Sequence, residues 1–68
     1  MARREIGKRL EKARIAAAMD GAKLARLSGF SEAQIEAWEK GRAVLYPAEM
    51  LRLCHVLDVT SSTLLGWP

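Results

Sequence analysis

At 68 residues, half of them hydrophobic, the chain has room for one domain with a small core, and its composition excludes disorder. The single Cys54 excludes an intramolecular disulfide; no apolar run nears the roughly 18 residues that span a bilayer, and the charged N-terminus leads into no signal-peptide core. Eleven Lys and Arg against eight Asp and Glu leave a net charge of +3, so the expectation is a soluble cytoplasmic protein whose partners depend on how the charge is distributed.

In chain order, residues 5 to 18 read as a first helix, with Ile6, Leu10, Ala13 and Ala17 at spacings of four, three and four. The alanines 16 to 18 extend it on propensity alone. Six cations crowd its start: Arg3, Arg4, Lys8, Arg9, Lys12 and Arg14, against Glu5 and Glu11. Such a run is either a solvated helix face or a phosphate-binding surface.

Asp20 is a good N-cap for a second helix, to which Leu24, Ala25 and Leu27 give an apolar side, and Gly29 ends it in the left-handed conformation. Ser31 caps a third helix, with Gln34 three residues on completing a capping box. Ile35 and Trp38 face inward from that helix, and Gly41 stops it. Two short helices joined across Ser28-Gly29-Phe30 form a helix-turn-helix over residues 20 to 40, whose second helix is shaped for a DNA major groove.

After the loop Arg42 to Tyr46, Pro47 opens a fourth helix reaching about Leu57 and burying Met50, Leu51, Leu53, Cys54 and Leu57. Asp58 stands where a left-handed cap is wanted. Thr60 or Ser61 caps a last short helix carrying Leu64 and Leu65. The fold class is therefore all-α, five short helices around one core, in a single domain over residues 1 to 68.

With the helices placed, the chain resembles the Cro and phage-repressor family (lambda-repressor-like, XRE-type) of helix-turn-helix domains over nearly its whole length. The matching stretches are LEKAR at 10 to 14, LARLSGFS at 24 to 31, IEAWEKG at 35 to 41 and LDVTSSTLLG at 57 to 66. The resemblance implies a bacterial or phage transcription regulator at the nucleoid, binding a double-stranded DNA operator as a homodimer. It implies a structural ion pair between Arg14 and Glu39, and base-reading positions at Glu32, Ala33, Glu36 and Ala37. A carboxylate can accept from cytosine N4 and an alanine methyl can pack on a thymine methyl.

Ser31 and Gln34 fall closer to the DNA backbone, Lys40 and Arg42 match backbone-gripping positions after the third helix, and Lys23 adds to them. Gly21 stands where relatives place Gln; it keeps the backbone donor and loses the side-chain contact. Ala18 stands at the family's glycine after the first helix. Val44, Leu45, Tyr46 and Trp67 are the dimer candidates, since a monomer this small cannot easily bury a loop and tail as well as a core. Local packing of Tyr46 and Trp67 is the competing view.

Cys54 and His55 are adjacent, but with no second Cys or His they make no zinc site, and Cys54 reads as core. One His, no paired carboxylates and no phosphate-cradling loop give catalysis no support, and nothing requires a cofactor, metal or small-molecule substrate. The rival reading is a helix-turn-helix whose third helix has turned acidic, through Glu32 and Glu36, and binds a partner protein instead of DNA bases.

Overall fold

Three of the helices end in the same hydrogen-bonded turn, built each time on a different residue. The computed structural model describes residues 2 to 66, with α1 at Arg3–Ala16, α2 at Gly21–Ser28, α3 at Glu32–Glu39, α4 at Pro47–Leu57 and α5 at Ser61–Leu65. At the end of α1, Ala18 N–H donates to the Ile15 carbonyl at 2.9 Å and Met19 N–H reaches back to Arg14 at 3.1 Å. Gly41 and Arg42 repeat the pair of bonds after α3, to Trp38 at 3.1 Å and Ala37 at 2.8 Å. Asp58 and Val59 repeat it after α4. Each such turn needs one left-handed residue, and the residues supplying it are Ala18 at φ 58°, Gly41 at φ 72° and Asp58 at φ 56°.

That geometry corrects the expected bounds of the first helix. Alanine propensity favours continuing to residue 18, but Ala18 lies in the left-handed region and terminates α1 at Ala16. At the other end the helix begins at Arg3, two residues earlier than expected, with no side-chain cap.

The starts of α2, α3 and α4 are set by side chains as the sequence requires. Asp20 Oδ1 accepts from the Lys23 amide at 2.8 Å. Ser31 Oγ accepts from the Gln34 amide at 3.1 Å, while Gln34 Oε1 accepts from the Ser31 amide at 2.8 Å, completing the capping box. Pro47 occupies the first turn of α4, where Glu49 Oε1 accepts from the Tyr46 amide at 3.0 Å. Thr60 is the N-cap of α5 but makes no side-chain cap hydrogen bond.

Each helix sends one aliphatic side chain to the centre: Leu10, Leu24, Ile35, Leu53 and Leu64. Burying each contributes about 1.5–3 kcal/mol. Around them α1 packs on α3 and α5, α2 on α3 and α4, and α4 on α5. Two apolar residues expected inside are not. Leu51 is 63% exposed and Leu27 is 50% exposed. The buried stripe of α4 is Met50, Leu53, Cys54 and Leu57, and that of α2 is Leu24, Ala25 and Ser28. Leu51 and Leu27 lie about 100° off those stripes, one residue from their edge.

Candidate nucleic-acid interface

The second and third helices are joined by Gly29, left-handed at φ 81°, and Phe30. Phe30 is half-buried and meets the Trp38 ring edge-on, their centroids 4.9 Å apart. Over the other side of Phe30 lies the Arg52 guanidinium, its carbon 4.8 Å from the ring centroid, and Arg52 Nη1 donates to the Ser28 carbonyl at 3.4 Å. Trp38 in turn donates its indole N–H to the Val44 carbonyl at 3.2 Å. These contacts tie the turn, α3, the α3–α4 loop and α4 into one unit. Sequence periodicity had no means of finding Arg52, whose stem leaves the helix face outside the apolar stripe.

A close approach between helices fixes how α3 sits. Gly7 on α1 is buried against the end of α3, and a Cβ added there would collide with the backbone carbonyls of Trp38 and Glu39. Two turns further on, Arg14 reaches the same helix end. Its Nε donates to Glu39 Oε2 at 2.7 Å, its Nη2 to Glu39 Oε1 at 3.1 Å, and its Nη1 to the Met19 carbonyl at 2.9 Å. The hydrogen bond to Glu39 holds the Arg14 pKa above its ordinary value, outweighing partial desolvation. The pair is a planar fork on a carboxylate, with every donor of its contact face used.

With Ile35, Trp38 and Glu39 turned inward, α3 presents Glu32, Ala33 and Glu36 to solvent and Ala37 at its edge. Ser31 and Gln34 are exposed at its start but hold each other in the cap. What they retain for a partner is the Ser31 hydroxyl hydrogen and the Gln34 NH₂. Glu36 Oε1 accepts from Lys40 Nζ at 3.2 Å and lies 3.7 Å from Arg42 Nη1. All three side chains are more than half exposed, so the pairs contribute little, about 0–1 kcal/mol each.

At the start of α2, Asp20 occupies the Lys23 amide and Leu24 donates to the Asp20 carbonyl, which leaves the Gly21 and Ala22 amides at the positive end of the helix. The N-terminal cations divide between two places. Arg4 packs its backbone against Gly41, and Arg3 lines a hollow with Ile6, Trp38 and Val44, so both border the end of α3. Lys8, Arg9 and Lys12 line hollows elsewhere on α1.

Among the dimer candidates, Val44 is 44% and Tyr46 62% exposed, whereas Leu45 packs partly against the core; Trp67 lies outside the described residues. Cys54 is buried and burial pushes its thiol pKa up, away from a reactive thiolate, while His55 is exposed. No three His, Cys, Asp or Glu converge to hold a metal ion among the described residues, and no helix there is long and apolar enough to cross a membrane.

A sequence model described as a helix-turn-helix domain matches residues 5–65. Among solved structures, the restriction-modification controller protein C.AhdI from Aeromonas hydrophila superposes with a TM-score of 0.87 at 27% identity, over 91% of this chain and 94% of that one. The clp gene regulator ClgR from C. glutamicum superposes with a TM-score of 0.91 at 23% identity, over 97% of this chain and 86% of that one, a likeness of fold. No curated protein sequence matches the chain significantly. With its five helices, its capped and glycine-turned second and third helices, and a family match over most of its length, the chain belongs to the helix-turn-helix domain family, consistent with its Cro and repressor-like branch.

Proposed function

We propose that the protein is a sequence-specific transcriptional regulator that binds a near-palindromic operator as a homodimer. The observation that carries this reading is the outward face of α3. It offers a row of unburied side chains with Lys40 and Arg42 at its end and Arg3 and Arg4 beside that end, while Lys23 is exposed on α2. Phosphate contacts from these cations and from the Gly21 amide position α3 in the major groove, where Glu32, Ala33, Glu36 and Ala37 meet base edges. Ser31 and Gln34, held in the cap, lie where the groove wall passes. Two copies joined through Val44, Leu45, Tyr46 and Trp67 would set their α3 helices about one DNA turn, roughly 34 Å, apart.

A second reading has two observations in its favour. Glu36 engages both Lys40 and Arg42 within the free protein, and residues 20 to 41 carry four acids against three bases. On that reading α3 is a protein-binding surface. Retention on a bulk-DNA column at low salt, with elution as salt rises, supports the DNA reader. Folded, helical protein in the flow-through would transfer the assignment to the protein-binding module.

A further inference from the structure

The basic face of α1 that points away from the third helix is left unexplained by the DNA-binding reading. Gly7 and Arg14 are seven residues apart and both touch α3, which defines the side of α1 facing that helix. Arg9 and Lys12 are each two residues from one of them, hence about 200° round the helix, on the opposite side. There they form one lip of a groove of about 500 Å³ between α1 and the end of α4 with α5. Its floor is Ala13, Ala17, Leu57 and Val59, with the exposed Ala16 beside the cations and Thr63 on the far lip. A second hollow, sharing Arg9 and Lys12 and adding Lys8, extends it along α1. Glu5, 3.8 Å from Arg9, is the acid that lines it.

We propose that this groove docks an amphipathic, acidic helical segment of a second protein. Three features select that occupant. The two hollows follow one another along α1, which suits an extended partner. Alanines in its floor allow a partner backbone close approach, and the apolar floor requires an apolar stripe to cover it. The lip is cationic through Lys8 and Lys12, with Arg9 packed against Gly66 between them, and the far lip is uncharged, so the stripe must be flanked by carboxylates on one side. The proposal does not rest on the DNA reading; if α3 lies on DNA, the groove faces away and a bound regulator can hold a second protein at the same time.

The test is an amide chemical-shift titration of the whole chain with a synthetic helical peptide of about 15 residues, leucines along one face and glutamates beside them. Three controls accompany it: a scrambled isomer, the same helix with lysine for glutamate, and a short DNA duplex. Saturating shifts at Ala13, Ala16, Ala17, Val59 and Thr63 with the first peptide alone are expected. The double variant Lys8→Glu with Lys12→Glu, both exposed positions, should weaken that binding about tenfold. The wild-type map decides alone if the variant does not fold. Equal shifts with the scrambled or lysine peptide, shifts elsewhere, or shifts at these residues with the duplex would overturn it. So would sedimentation showing a dimer that the double variant dissociates, which would give the groove to a second copy of this chain.

Discussion

Arg14 on α1 holds Glu39, the last residue of α3, through two hydrogen bonds of 2.7 and 3.1 Å. The side chains are 15% and 9% exposed. Arg14→Met leaves the Glu39 carboxylate unmatched and should lower the unfolding free energy by about 2–3 kcal/mol in urea denaturation. Glu39→Gln should cost less, about 1–2 kcal/mol, because Glu11, 3.8 Å from Arg14, and the Met19 carbonyl still face the guanidinium. The double variant should lose much less than the sum. Additive losses would mean that the pair is not the unit of stabilisation.

Gly7 is the second determinant of the α1–α3 contact. Because a Cβ there meets backbone carbonyls of Trp38 and Glu39 and not a flexible side chain, Gly7→Ala forces the helices apart. A loss of about 2–3 kcal/mol is expected. Tm by circular dichroism reads it, and a Tm equal to wild type would place the helix approach elsewhere.

Ala18 works in the other direction. It sits at φ 58°, where an L side chain is strained. Ala18→Gly should stabilise the fold by about 1 kcal/mol, since glycine adopts that conformation without the Cβ conflict. An unchanged or lowered Tm would show that the gain is lost to the greater freedom of the unfolded chain.

The legible part of the molecule was local chemistry. Asp20, Ser31 with Gln34, Gly29, Gly41, Pro47 and Asp58 each carry out a task set by their own side chain or backbone freedom, and each stands where its residue type predicts. Features made by two distant segments were not legible without the fold. Gly7 reads as an ordinary helical residue until α3 is laid across it, and Arg52 reads as a solvated cation until Phe30 arrives beneath it. The division of the N-terminal cations between the end of α3 and the far groove is likewise a matter of helix phase against a partner. Leu51 and Leu27 mark the same limit: apolar identity put them in the core, but the core stripe of each helix was one residue away.

In DNA binding, gripping and reading residues should separate. Lys40→Gln should weaken binding to every duplex and reduce the salt slope by about one. Glu36→Gln removes the acceptor that Lys40 and Arg42 share and alters a base-reading position, so it should raise affinity overall and also change which bases are preferred. Glu32→Gln, which disturbs no ion pair found in the fold, should change which bases are preferred. Titrations of a duplex panel at several salt concentrations distinguish these; equal shifts on every sequence for all three would erase the division of roles.

Selection of bound duplexes from a random-sequence pool tests most directly whether α3 reads DNA bases for a dimer. Enrichment of an inverted repeat with half-sites about 10 base pairs apart, centre to centre, is expected. A folded protein that enriches no sequence would contradict it and leave α3 as a surface for another protein.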